Sequence, residues 1–294
     1  MLSILRIFFL TCFIFFLQKG FTKKLPPSPQ KKKIQNFPKI YNPEVQRWIS
    51  FFSKNPNSYL KPWLKKSYRY FPMMEKIFLS KNLPKELVAM SAIESSFSAH
   101  AVSRANAVGY WQFIQSTGLQ FGLRITPWID ERRDFEKSTK AAASYLYKLY
   151  IDFENWLLAM SAYNMGEKRL NSLIKKYKDN NFWTLRKKPD FPKETALYIP
   201  KILAVVHLLK YPADYGFKEF VILTPYQYDI FFIPGGTHLK EISTNTKIAF
   251  ADLKKLNPDL KTHLIPKYIS EHPIRIPKGK GLLISHWLDK KEKK

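Results

Sequence analysis

The chain has 294 residues, a formal net charge of +26 and a single cysteine, Cys12. That length allows one sizeable core, or a medium core with a small module. The lone cysteine excludes a disulfide framework and a cysteine-based metal site. The excess of Lys and Arg favours an anionic partner, either a membrane surface, a nucleic acid or an acidic wall polymer, and composition does not choose among them.

In chain order, Arg6 precedes an unbroken apolar run from Ile7 to Leu17. The run has about the length of a signal-peptide core and falls short of the ~20 residues of a spanning helix. Gly20 is the best cleavage candidate, so residues 1–20 read as a signal peptide or a retained N-terminal anchor. Export makes nucleic acid the wrong partner. Residues 21–40, rich in Pro and Lys, read as an extended tether. Residues 41–79 show helical spacing, with Val45, Trp48, Ile49 and Phe52 on one face, and form a helical extension. Helical patterns then cover the stretch into Glu94, and 111–121, 135–153, 156–162, 167–177 and 194–209, making 80–212 a helical domain. Composition shifts near Pro212. Residues 213–226 read as a linker that is β-prone over 220–225. YDIFFI, LKEISTN, AFADLKKL and IRIP then read as strand, helix, helix and strand of a small α+β module over 227–281. Residues 282–294, ending in KKEKK, read as a basic, disordered tail.

The stretch VAMSAIESSF, residues 88–97, sets a carboxylate at the end of a segment that is apolar on nearly all sides. Two readings follow from the residues. Glu94 is a solvated glutamate on a helix end, or it is a desolvated acid whose raised pKa keeps a proton available near neutral pH.

Three further signals interrupt the helical pattern. Gly109-Tyr110-Trp111-Gln112 combines a turn glycine with an amide between aromatic rings. Tyr163-Asn164 ends a helix before Gly166, and Glu194 opens another with Tyr198 one turn on. Aromatic faces edged by amides and hydroxyls suit sugar rings. There is no phosphate-binding loop and no histidine pair at metal-ligand spacing, so neither a cofactor nor a metal is expected. His100 and His207 read as helix-edge or core residues. In WIDERRD, residues 128–134, the acids alternate with arginines and read as ion pairs and helix caps.

From ELVAMSAIESSFSAHAVSRANAVGYWQFIQSTGLQFGL through WIDERRD, AYNMGE and PKETALYIPKILAV, the sequence resembles the lytic transglycosylase (SLT) domain. That domain has the goose-type lysozyme fold, and the resemblance is closest to the membrane-bound lytic murein transglycosylase D type. The resemblance covers about residues 80–212 and implies a mainly α, lysozyme-like domain. It implies that Glu94 is the single catalytic acid, that Tyr163 hydrogen-bonds it, and that Asn164 sits beside Tyr163. It also implies that Ser95 and Gln112 bind near the cleaved bond, with Ser96, Gly109, Tyr110, Glu194 and Tyr198 completing a substrate cleft. GYWQF departs from the family's commoner Gly-Leu-Met-Gln form but keeps Gly109 and Gln112. The C-terminal module resembles a degenerate LysM domain: Thr237-His238-Leu239 stands for Asp-Thr-Leu, Leu256-Asn257-Pro258 matches, and residues 259–272 are an insertion.

The implied activity is cleavage of the MurNAc-GlcNAc bond of peptidoglycan glycan strands with formation of 1,6-anhydro ends. It places the protein in the periplasm or envelope of a Gram-negative bacterium, with membrane association through the N-terminal segment. A single acid departs from the two-carboxylate scheme and calls for substrate-assisted chemistry. Two alternatives remain at this point, a lysozyme-like hydrolase and a non-catalytic wall-binding protein.

Overall fold

The computed structural model describes residues 34–292 except 56, 58 and 218–222. The signal or anchor segment and residues 21–33 of the tether therefore lie outside the described residues. From Ile34 onward the chain forms one contact unit.

Helix α1 (Pro43–Lys54) opens with Pro43 at its first position, and Asn42 caps the Val45 N–H at 3.0 Å. It lies against α9 (Lys193–Lys210). Helix α2 (Leu60–Ser80) buries Trp63, Leu64, Tyr70, Met74 and Phe78. A 3-10 turn over Lys85–Ala89 then leads into α3 (Met90–Ser95), which carries Glu94. The spacing predicts a helix over 111–121, but only α4 (Gln115–Gln120) forms. Trp111 and Phe113 are both buried while Gln112 between them takes φ 48°, a left-handed backbone no helix accommodates.

Helix α5 (Phe135–Phe153) begins where the Asp134 carboxylate accepts from the N–H groups of Glu136 and Lys137. Asn155 caps α6 (Trp156–Met165) in the same way. Helices α7 (Glu167–Tyr177) and α8 (Phe182–Leu185) follow. Their apolar faces, with those of α1, α2, α5, α6 and α9, form one large core. The segment before α1 belongs to this core. Phe37 is buried, the Tyr150 hydroxyl accepts from Gln35 N–H, and Trp156 Nε1 donates to Gln35 O. An aromatic residue and backbone hydrogen bonds thus fix 34–40, where Pro-rich composition alone suggests a tether.

The C-terminal module pairs β1 (Tyr228–Pro234) antiparallel with β2 (Glu271–Pro277), with Ile230 opposite Arg275. Between them lie α10 (Leu239–Thr246) and α11 (Phe250–Leu256). A final helix, α12 (Gly281–Glu292), places Ile284 and Trp287 in the module's own core. The lysine-rich end masks this helix in the sequence, and Lys290 to Glu292 belong to it rather than to a disordered tail.

WIDERRD joins the helical part to the module. Ile129 is fully buried in the module's core, paired with Leu260, and Asp130 N–H donates to Asp259 O at 2.9 Å. The Arg275 guanidinium donates to both oxygens of the buried Asp134 carboxylate at 2.5 and 3.1 Å, and lies over the rings of Phe135 and Tyr228. The acids of the segment are ion-paired and capping, and they also serve as a docking surface. The 259–272 insertion supplies the opposing surface. Residues 223–227 are likewise held: Tyr226 packs on Tyr70 and Phe135, and Arg69 Nε donates to Thr224 O.

Arg275→Met should cost about 3–5 kcal/mol, because Asp134 would stay buried without its countercharge. Denaturant unfolding at neutral pH measures this. A loss below 1 kcal/mol would show that the docking ion pair contributes little.

Candidate active site

Glu94 is the fifth residue of a six-residue helix. Leu87, Val88, Ala89, Met90 and Ala92 around it are buried. The helix stops at once because Ser96 and Phe97 both take positive φ, 51° and 56°. Such positions cost roughly 1–2 kcal/mol each for residues other than glycine. The surrounding structure holds them: Ser96 N–H returns to Ala92 O, Trp63 Nε1 donates to the Ser96 hydroxyl at 3.1 Å, and Lys66 Nζ donates to Ser96 O at 2.7 Å. Ser96, expected in the substrate cleft, thus fixes the helix end through two residues of α2.

Glu94 is partly exposed, yet enough protein surrounds its carboxyl group for desolvation to dominate. The pKa rises from 4.5 to about 7; the Tyr198 hydroxyl, which donates to Glu94 Oε1, opposes the rise, and the charge of Glu194 adds to it. Burial first, and the Glu94 charge second, keep the Tyr163 and Tyr198 phenols well above their ordinary pKa. Both are therefore hydrogen-bond donors throughout the neutral range.

Two expectations are corrected here. The phenol bonded to Glu94 is Tyr198, while Tyr163 donates to Trp111 O at 2.7 Å and feels Glu94 only through its charge. Tyr163 ends α6 facing the Gly109–Phe113 loop, whereas Tyr198 projects from α9, which lies against α3. Tyr110 is not a cleft residue. It is 3% exposed, its hydroxyl donates to the Tyr70 hydroxyl at 3.3 Å, and its ring meets that of Tyr70 edge-on. Trp111 is fully buried as well, with Nε1 donating to Thr139. The aromatic residues of GYWQF anchor the loop in the core instead of facing a sugar.

The polar residues of this loop are arranged around its backbone. The Ser91 and Ser95 hydroxyls both donate to Tyr110 O at 2.9 Å. The Gln112 amide nitrogen donates to Gly109 O at 2.9 Å and Ala101 O at 3.2 Å. Gly109 has φ 82°, and a Cβ there would stand 2.0 Å from Arg132 O, so only glycine lets the loop rest on the WIDERRD backbone. Arg132, pinned by Asp130 at 2.8 and 2.9 Å, donates Nη1 to Asn106 O and Phe113 O and closes the loop at both ends. Asn164 accepts from the buried Thr195 hydroxyl at 2.6 Å, joining the end of α6 to the start of α9 beside the exposed Glu194. Sequence reasoning misses the supporting roles of Trp63, Lys66, Ser91, Arg132 and Thr195, because residue type and spacing do not show which atoms they meet across the chain.

Among the described residues, no group of three or more His, Cys, Asp or Glu could hold a metal ion. The arrangement supplies one protonatable carboxyl, a phenol bonded to it, and a rigid polar loop.

Because the folded pKa of Glu94 lies above its ordinary value, its burial penalty is absent below about pH 4.5 and grows as pH rises toward 7. At 1.36 kcal/mol per pK unit this amounts to about 3 kcal/mol. Glu94→Gln should therefore stabilise the protein by about 1–3 kcal/mol at pH 8 and by almost nothing at pH 4.5. Unfolding curves at the two pH values check this, and equal effects at both would refute the desolvation argument.

Comparison with known proteins adds the following. Residues 75–186 match the family profile described as "Transglycosylase SLT domain". The chain is 43% identical over 143 residues to membrane-bound lytic murein transglycosylase D of Escherichia coli K12, covering 47% of this chain and 31% of that protein. It thus spans about a third of that relative's length. Among solved structures it is similar to the 70 kDa soluble lytic transglycosylase of Escherichia coli, with 18% identity, TM-score 0.45, and coverage of 57% of this chain and 30% of that one. It is similar also to an inactive mutant of the lytic transglycosylase Slt from Pseudomonas aeruginosa, with 20% identity, TM-score 0.41, and coverage of 49% and 24%. Tyr198 lies beyond the matched profile, on α9. The stretch that matches the transglycosylase SLT profile, residues 75–186, carries Glu94, Gln112 and Tyr163.

Proposed function

We propose that the chain is a lytic transglycosylase of peptidoglycan, cleaving the MurNAc-GlcNAc β-1,4 bond without net consumption of water. The observation that carries this reading is the desolvated Glu94 carboxyl, with its pKa raised to about 7, inside an SLT domain. An acid of that pKa can donate and recover a proton near neutral pH at little cost in either direction.

The sequence of steps follows from one acid. Glu94 O–H gives its proton to the glycosidic oxygen, the bond to C1 of the MurNAc breaks, and the GlcNAc leaves as an alcohol. The carbonyl oxygen of the 2-acetamido group supports the positive charge developing at C1. Glu94, now a carboxylate, is stabilised by the Tyr198 hydroxyl. It takes the proton of the C6 hydroxyl while O6 bonds to C1, and it returns to its starting state. Ser95 and Gln112 keep the neighbouring loop in one conformation through Tyr110 O, Gly109 O and Ala101 O. Tyr163 does the same through Trp111 O.

A hydrolytic reading has one observation in its favour: Glu194, an exposed acid at the start of α9, is close enough to raise the pKa of Glu94. Mass spectrometry of digested strands separates the two. Anhydromuramoyl ends are expected, and reducing muramic ends with Glu194 essential would establish hydrolysis. Glu94→Gln should lower kcat by about 10²–10⁴-fold. Unchanged lysis would overturn the catalytic assignment of Glu94, and a wild type without any lysis would be a binder rather than an enzyme.

The pH profile gives a further check. Activity requires protonated Glu94, so kcat/KM should fall above about pH 7. Tyr198→Phe removes a hydrogen bond that favours the carboxylate, and should move that limb to higher pH while lowering kcat. A limb that does not move would detach Tyr198 from the titration.

The envelope of a Gram-negative bacterium, with attachment through the N-terminal segment, completes the proposal. No helix of the described residues is long and apolar enough to cross a membrane. The strand-helix-helix-strand order of the module supports its LysM-like reading.

A further inference from the structure

A cavity of about 540 Å³ opens between the turn that joins α5 to α6 and the loop before α8. Asn155 and Asn181 line it, with the partly buried rings of Phe153 and Trp183 and the exposed Asp152 and Asn180. The cavity is separate from the cleft of Glu94. Asn155 caps the first end of α6, whereas Tyr163 and Asn164 lie in its last turn. Along the helix axis the two ends are roughly 13 Å apart.

The backbone fixes how the two amides are turned. Asn155 Oδ1 accepts from the N–H groups of Leu157 and Leu158 at 2.8 and 3.3 Å, and Asn181 Oδ1 accepts from Trp183 N–H at 2.8 Å. With the oxygens so committed, what these side chains offer a ligand is the N–H donors of Nδ2. Asp152 meets Lys148 Nζ through Oδ2 at 2.9 Å, and Oδ1 remains as an acceptor. The Trp183 ring is held edge-on to Phe182 at 5.1 Å, with the Arg186 guanidinium 5.7 Å from its centroid. The chain carries a net charge of +26, yet among the described residues no lysine or arginine lines this cavity. That argues against an anionic ligand. Fixed donors and a carboxylate acceptor beside an indole suit an uncharged molecule with an apolar face and a hydroxyl edge, which is the build of a pyranose.

We propose that this cavity is a second carbohydrate site, binding one pyranose of a glycan strand apart from the bond that Glu94 cleaves. That the strand is peptidoglycan rests on the function proposed above, whereas the pyranose chemistry does not. A strand long enough to reach both sites is held at two points, so the cavity raises affinity for long polymer and leaves the chemical step unchanged.

Two measurements test it. The first follows the indole N–H resonances of full-length protein carrying Glu94→Gln by NMR while chitotetraose, an uncharged oligomer of N-acetylglucosamine, is added. Trp63, bonded to Ser96 two residues after Glu94, reports on the cleft, and Trp183, assigned with Trp183→Phe, reports on the cavity. The Trp183 resonance should move saturably. Asn155→Ser with Asn181→Ser keeps an oxygen for each cap and removes both amides. This pair should weaken the Trp183 response about tenfold, the loss expected for hydrogen bonds to a ligand, and leave that of Trp63 as it was. A Trp183 resonance that stays still, whether or not Trp63 moves, overturns the site. One that answers to trilysine and not to chitotetraose overturns the carbohydrate assignment in favour of a cationic peptide. The second measurement compares cleavage of long strands and of a tetrasaccharide fragment by protein with Glu94 intact. Trp183→Ala should raise KM on long strands about fivefold with kcat unchanged, and alter neither constant on the fragment. An equal loss on both substrates shows a structural role and overturns the proposal while the transglycosylase reading stands. A saturable Trp183 shift in a protein that cleaves neither substrate supports the site and defeats the catalytic reading.

Discussion

The carboxyl of Glu94 is desolvated, and one phenolic hydroxyl from another helix opposes that desolvation. Most of the helical architecture follows from keeping this balance. Helix α3 must be apolar up to the acid and must end immediately after it, which places Ser96 and Phe97 in left-handed backbone. The end is secured by Trp63 and Lys66 of α2, outside the matched SLT profile. Helix α9 must lie against α3 to present Tyr198. The N-terminal extension and α9 are therefore supports of the acid, and the extension also meets the Gly109–Phe113 loop through Tyr70 and Phe78.

A second network couples the site loop to the C-terminal module. WIDERRD presents the Arg132 carbonyl and guanidinium to the Gly109–Phe113 loop on one side, and Ile129, Asp130 and Asp134 to the module on the other. Buried charges such as Asp134 and Arg275 tolerate little misplacement, since an unpaired charge in low-dielectric surroundings is far more costly than a paired one. The segment thus fixes two positions at once. That is the physical reason the module and the helical part form one contact unit rather than two bodies on a linker.

Local signals were legible in the sequence. The apolar run identified Glu94 as an acid at the limit of burial, and three- and four-residue spacing located α5 and α7 at their observed ends. Asp134 reads as a cap or ion-pair acid from its place in WIDERRD. What could not be read was which of several polar residues meet across the chain. Tyr198 and Glu94 are 104 positions apart, and Arg275 and Asp134 are 141 apart. Periodicity also cannot tell an aromatic ring buried in a core from one lining a cleft, so Tyr110 and Trp111 were placed on the wrong side of their own loop. The lysines at the C-terminus concealed α12, because composition outweighed the buried Ile284 and Trp287.

The most direct test is the ionisation of the Glu94 carboxyl itself. Infrared difference spectra between wild type and Glu94→Gln, titrated from pH 3 to pH 10, isolate its C=O stretch from every other acid. The account requires a protonated carboxyl that disappears with a midpoint near pH 7. A midpoint at the ordinary glutamate value would show a solvated side chain, and the proton shuttle built on it would be wrong.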